Sequence, residues 1–404
     1  MPSRLTLLGV ASAAAVLVGC TSTSALKPAP TASSTAPPSA SDSQTPSASA
    51  SASATPAPSG IDPGFVPALA AIQMVGPRLG WAVGSHAIFA TTDGAHWTKQ
   101  YASTEEFVGV DFISATTGWA VATRTLLGTS DGGRSWRQLG EPRMPIRSVH
   151  FVSASLGWGI AGGNDPQPIH GWLVPHDGAT LVITRDGGST WAALGGPSNP
   201  QTVCLDEAAQ GWVGTTDGVF ILRTTDNGSN WSEVLPRPDQ QPPALPRATL
   251  IQCAAPHALW VLFLGGDSGM SHSPYIAYAT VDGSNWQAVM KEPMSEGMIL
   301  AGVPAGPDSY PPSFSVVDPT DAVFIGDGPA TNVAQCVIAG NGGVTLRRTG
   351  RIDNAPETFA TAFVSVTAGW VLTRNAGGDY VIDATADGGY HWSQQLAVSP
   401  TSAG

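Results

Sequence analysis

His170, His176 and Asp177 fall close together in "GGNDPQPIHGWLVPHDGAT". Imidazole and carboxylate groups of this kind hold divalent cations, but their spacing matches no zinc pattern, so neither a metal nor any other cofactor is expected. Asp165, taken with Asp177 or with Asp267, offers the two carboxylates of a glycosidase. One protonates the leaving oxygen and the other attacks the sugar or activates water. The separation of the pair decides such chemistry, and only the fold sets it. Trp172 in the same stretch carries two readings: an indole for sugar stacking or partner contact, or an anchor tucking the segment onto its scaffold. His272, Tyr275, Tyr310, Arg143, Arg147 and Arg247 are further ligand-binding candidates. No residue is assigned as catalytic.

A repeated scaffold must position these groups. The 404 residues are 42% hydrophobic and only 12% charged, with 47 Gly, 34 Pro and 13 Trp. Such a load with Val and Thr runs favours short strands, and no long segment shows a helical apolar period. The chain reads as all-β. A turn motif recurs: "TTDGAHW", "TSDGGRSW", "TRDGGSTW", "TTDNGSNW", "TVDGSNW" and "TADGGYHW". Their acidic residues are Asp93, Asp131, Asp186, Asp226, Asp282 and Asp387, and their indoles Trp97, Trp136, Trp191, Trp231, Trp286 and Trp392. A degenerate copy, "AGNGGVTL", has Asn341 for Asp and Leu346 for Trp.

A second mark precedes each copy, as in "LGWAV" at Trp81, "TGWAV" at Trp119 and "AGWVL" at Trp370. Each unit then reads as strand A, a short turn, strand B from the GW mark, strand C, the aspartate turn, and strand D. Intervals of 38 to 59 residues between turns indicate a propeller or solenoid. Seven four-stranded units predict a seven-bladed β-propeller.

The turn motif resembles the Asp-box, or bacterial neuraminidase repeat, of sialidases, sortilin-type receptors and photosystem II assembly factor-like propellers. The pairing of GW marks with boxes over about residues 65–398 is most similar to the last group. That resemblance implies a chaperone-like or assembly role, whereas the sialidases imply glycoside hydrolysis. Sialidases use an arginine cluster, a Tyr–Glu pair, an acid/base Asp and an Arg-Ile-Pro motif before the first box. Here "GFVPALAAIQMVGPRLGW" precedes Asp93, with Arg78 its one arginine and no such motif. Xyloglucan-type hydrolases pair two propellers across a cleft, and this sequence has one. The box itself is shared by proteins of different activity, so function must come from elsewhere.

Elementary chemistry makes the box a staple. An Asp side chain bonds nearby backbone N–H groups in a tight turn, Gly accepts the positive φ, and the Trp that follows buries a large area. Seven such turns around a ring cannot converge on one ligand. The A–B turns and aspartate turns stay short, while the B–C and D–A connections vary in length, as in "GGDSGMSHSPY" and "LPRPDQQPPALPRAT". In an up-and-down blade these variable connections share one face, opposite the boxes, and the binding surface is expected there.

The N-terminus carries its own information. Residues 1–20 read as a signal peptide with the apolar run "LTLLGVASAAAVLVG", ending in "LVGC", which resembles a bacterial lipobox. Acylation of Cys20 and attachment to membrane lipid on the extracytoplasmic face follow from that resemblance. Residues 21–60 are a Ser/Thr/Ala/Pro tether with too little apolar bulk to fold, spanning about 35 Å r.m.s.. The propeller occupies 61–404. Of the remaining cysteines, Cys204 and Cys253 occupy nearly matching places in successive units and are the preferred disulfide. A net charge of −12 argues against nucleic acid. The expected protein is a monomeric binding or scaffolding propeller for a protein or cell-surface glycan, with a glycoside hydrolase as the alternative.

Overall fold

The computed structural model describes residues 66–400 apart from short internal segments, the longest being 236–247 and 293–301. The signal segment, Cys20 and the tether lie outside the described residues. Every regular element described is a strand.

The first sheet has six strands: β1 (Ala71–Met74), β2 (Gly80–Thr91), β3 (Thr98–Phe112), β4 (Gly118–Ala122), β5 (Leu126–Thr129) and β6 (Arg137–Gln138). The second is built from β7 (Ile146–Phe151), β8 (Gly157–Asn164), β11 (Asp177–Thr184) and β12 (Ala192–Ala193). A separate hairpin of β9 (Gln167–Ile169) and β10 (Trp172–Val174) is inserted between β8 and β11. The third sheet is β13 (Pro200–Leu205), β14 (Gly211–Thr215), β15 (Ile221–Thr224) and β16 (Ser232–Glu233). The fourth is β17 (Ala248–Ala255), β18 (Ala258–Leu264), β19 (Tyr275–Thr280) and β20 (Gln287–Lys291). β21 (Ser313–Val316), β22 (Ala322–Gly328), β23 (Val333–Gly340) and β24 (Thr345–Asp353) form the fifth. The sixth is β25 (Glu357–Phe363), β26 (Gly369–Arg374), β27 (Tyr380–Thr385) and β28 (Ser393–Val398).

These are antiparallel up-and-down sheets in a propeller, as the alternation of turns predicts. The number of sheets corrects the expectation: among the described residues the propeller has six, one six-stranded and five four-stranded, not seven separate four-stranded blades. The first two sequence units merge because two strands serve twice. β2 pairs β1 through its first half and β3 through its second. β3 then runs on to pair β4. Its sequence, "TKQYASTEEFVGVDF", has no proline to interrupt the ladder, whereas later units are parted by segments such as "GEPRMP" and "GGPSNP".

The core is a series of apolar layers between neighbours rather than one central mass. Trp119, Val121 and Leu126 of the first sheet pack with Phe151, Ala161 and Val182 of the second. The series returns on itself where Leu69, Ile72 and Trp97 pack with Ala360, Trp370 and Ile382. The GW tryptophans are the main wedges. Trp81 stacks on Phe112 and Trp119 on Phe151, each at 3.4 Å between ring centroids and nearly parallel. Burying an aromatic of this size contributes about 2–3 kcal/mol from area alone.

The aspartate turns act within their own hairpins. In the second sheet, Asp186 Oδ1 accepts from Thr190 N at 2.8 Å and Thr184 Oγ1 at 2.9 Å, while Oδ2 accepts from Thr190 Oγ1 at 2.6 Å. Gly187 N donates to Ser155 O, tying this turn to the A–B turn beside it. Gly188 sits at φ +89°, and a Cβ there would meet Leu126 and Leu139 at 3.1 Å. Asn341 itself takes φ +55° in the degenerate copy, a conformation Asn tolerates better than most residues.

Candidate functional site: the axial channel

The innermost strands enclose a channel of about 370 Å³. Seven innermost strands line it, with Val121 of β4 beside them, although six sheets surround it, because the first sheet contributes both β1 and the second half of β3. One register position recurs on this wall, the residue paired with the GW tryptophan or its equivalent. It is Gln73 opposite Trp81, Asp111 opposite Trp119, His150 opposite Trp158, Cys204 opposite Trp212, Gln252 opposite Trp260, Ser315 opposite Val323 and Ala362 opposite Trp370.

Six of these seven side chains reach the next innermost strand. Gln73 both accepts from Phe112 N at 2.6 Å and donates to Phe112 O at 3.2 Å. Asp111 Oδ2 accepts from Phe151 N at 2.7 Å. His150 Nε2 lies 3.0 Å from Leu205 O, and donates if it carries the proton. Gln252 accepts from Val316 N and donates to Phe314 O, at 3.0 and 2.9 Å. Ser315 Oγ accepts from Phe363 N at 2.9 Å. Cys204 makes the covalent member of the set, a disulfide to Cys253 with Cα atoms 6.1 Å apart. Each hydrogen-bonded clip satisfies backbone groups at the inner edge of a sheet, which would otherwise be costly to leave unpaired. Ala362 has no such group, so the last junction relies on other contacts.

The wall is mostly neutral. Arg147 lines it at the D–A end of β7, half-buried, with Nε donating to Gly162 O at 3.0 Å. Among the described residues Asp111 is the one carboxylate lining the channel. Burial pushes its carboxyl above the usual range, partly offset by His150 and by the N–H of Phe151. His150, Cys204 and Cys253 bring one ring nitrogen and two sulfurs within 4.8 Å of one another.

Few of the ligand-binding candidates fall on described residues. Asp165, His170, His176, Asp267, His272, Tyr310, Arg143 and Arg247 lie outside them. Trp172 opens β10 and pairs Ile169 across the inserted hairpin. Asp177 is exposed at the start of β11, where its Oδ1 accepts from Asn164 Nδ2 at 2.8 Å. Tyr275 is 1% exposed, with its hydroxyl donating to Pro307 O at 2.7 Å. It is therefore a core strut and not a surface contact. Arg147 reaches the channel, but neither Asp177 nor Tyr275 lines it. The sequence reading did not single out Gln73, Asp111, His150, Gln252 or Ser315. Their signal was present as the residue preceding the last residue of the strand in "QM", "DF", "HF" and "SV", and two residues earlier in the strand in "QC" of β17.

The fold and its channel define a β-propeller of four-stranded antiparallel sheets. Its likeness to solved propellers is one of fold. A structure described as YCF48 bound to D1 peptide superposes with a TM-score of 0.52 at 17% identity, covering 79% of this chain and 93% of that one. YCF48 from Cyanidioschyzon merolae gives 0.51 at 16% identity, with 83% and 96% covered. The GH74 xyloglucanase from Xanthomonas campestris gives 0.54 at 12% identity, but this chain spans only 55% of that enzyme's length. No protein-family model matches the chain, and no curated protein does.

Proposed function

We propose that this protein is a binding propeller of the bacterial envelope, held at the membrane by acylated Cys20 and engaging an extended segment of a protein partner through its variable-loop face. The observation that carries the reading is the charge inventory of the channel: among the described residues that line it Asp111 is the single carboxylate, and that group already accepts from Phe151 N. Hydrolysis of a glycoside needs two acidic groups at a working separation, and the described residues of this wall bring one. A ring of clips instead makes a stiff rim, the kind of scaffold on which loops bind with little reorganisation. The fold likeness to YCF48, solved with a bound peptide, supports the same class of ligand. The tether of residues 21–60 would let the propeller search a volume above the membrane, and the assembly-factor resemblance suits that geometry.

Site-directed photocrosslinkers in living cells test this. A crosslinker at Arg147 or Asp177, both at the variable-loop end of the second sheet, should capture a discrete protein. One at Asp131, on the opposite turns, should not. Turnover of a xyloglucan or a sialoside by the purified chain, abolished by Asp177→Ala, would overturn the proposal in favour of a glycosidase. Release of the protein in soluble form irrespective of Cys20→Ala would remove the anchor.

A further inference from the structure

The disulfide and the histidine beside it lie on the channel wall, where solvent and ions have a route in. We propose that reduction of the Cys204–Cys253 disulfide converts this clip into a Cys2His binding site for a zinc ion, with His150 as the third ligand. The inference stands on the convergence of three donors from separate strands, β7, β13 and β17, within 4.8 Å. It does not depend on the partner-binding reading.

Chemistry favours the assignment. Two thiolates and an imidazole are the donor set preferred by zinc, and three protein ligands leave one position for water from the channel. Cys204 is buried while His150 and Cys253 are partly exposed, so the ion would be shielded on one side and reachable from the other. The contact between His150 Nε2 and Leu205 O at 3.0 Å holds the ring in one orientation and leaves its Nδ1 to face the metal when Nε2 carries the proton.

The steps balance. A dithiol donor breaks the Sγ–Sγ bond, delivering two electrons and two protons, and itself becomes a disulfide. The two cysteines are then thiols. Binding of Zn2+ displaces both protons, leaving two thiolates, and His150 joins as neutral imidazole. Re-oxidation by a disulfide donor, which accepts the two electrons with two protons and leaves as a dithiol, re-forms the Sγ–Sγ bond and releases Zn2+, because the two thiolates that held it no longer exist.

The test uses the full chain, reduced anaerobically with a phosphine that takes up oxygen from water, and freed of excess reductant. Titration with Co2+ should give one ion per chain with thiolate-to-cobalt charge-transfer absorption, displaced by Zn2+. The oxidised chain should show none. His150→Gln places in the ring the residue used at positions 73 and 252, so it preserves a clip; it should weaken Zn2+ by about 10-fold or more. Cys204→Ser should abolish the charge-transfer band. A reduced, cooperatively melting wild-type chain that gives no such band overturns the proposal, as does an unchanged Zn2+ affinity in His150→Gln. Should Cys204→Ser fail to fold, the reduced wild type and His150→Gln decide the matter alone.

Discussion

Trp370 of the sixth sheet donates its indole N–H to the carbonyl of Gly94 in the first, 3.1 Å away and 276 residues apart in sequence. Trp81 makes the same bond to Gly132 at 3.4 Å and Trp119 to Gly187 at 3.0 Å. In these three units the GW tryptophan grips the aspartate turn of the neighbouring unit, and at Trp370 the bond spans the closing seam; the buried indole N–H groups of Trp158, Trp212 and Trp260 make no such bond. Gln395 reinforces the seam, donating to Gly94 O at 3.0 Å and accepting from Trp97 Nε1 at 2.9 Å. No strand is shared across it, since the sixth sheet is wholly C-terminal and the first wholly N-terminal.

Removing the indole at this seam should therefore cost more than removing its hydrogen bond. Trp370→Phe loses the bond but keeps most of the packing, and should destabilise by about 1 kcal/mol. Trp370→Ala leaves a cavity in the closing layer and should cost roughly 3–5 kcal/mol. Denaturant midpoints at constant m-value check both.

Gly188 offers a sharper backbone test. With φ at +89° and two leucine methyl groups 3.1 Å from any added Cβ, Gly188→Ala should lower stability by roughly 1–3 kcal/mol. Gly195→Ala, where a Cβ meets nothing within 4 Å, serves as the control and should be near neutral. Differential scanning calorimetry of the pair decides it.

The turn aspartates predict the acid response. Hydrogen bonds hold three of them at about 2: Asp131 through Ser135, Asp226 through Asn230, and Asp387 through the backbone N–H of His391. A folded-state value below the unfolded one means these groups stabilise above about pH 4 and lose that contribution as pH falls towards 2. Asp111, raised by burial, works in the opposite sense and favours the folded state at low pH. Because the depressed groups outnumber it, the melting temperature should fall between pH 4 and 2. Asp131→Asn should flatten that slope without altering partner capture.

Cys336 should be chemically silent. Burial pushes its thiol up to about 11, and it is 1% exposed beside Gly389. Iodoacetamide at pH 8 should leave it unmodified in the native chain and alkylate it on unfolding, as mass spectrometry would show. Labelling in the folded state would mean that the fifth and sixth sheets part readily at this point.

The sequence by itself determined what contiguous residues can specify. An Asp, one or two Gly and a following Trp settle a hairpin turn through bonds that span two to four residues, as at Asp186. Their recurrence announced four-stranded units in a propeller, and the GW marks located the second strand of each. Even the choice of Cys204 and Cys253 as partners followed from matching places in neighbouring units. What the tertiary structure decided is everything that depends on neighbours far along the chain. The clips of the channel join residues 39 to 64 apart, so Gln73, Asp111 and Gln252 looked like ordinary strand residues until the sheets were packed. The merging of the first two units turned on whether one strand, β3, could run unbroken between them. Tyr275 fell near a variable connection in sequence yet is enclosed by the fourth sheet and Pro307, because burial is a property of what surrounds a side chain and not of its position along the strand.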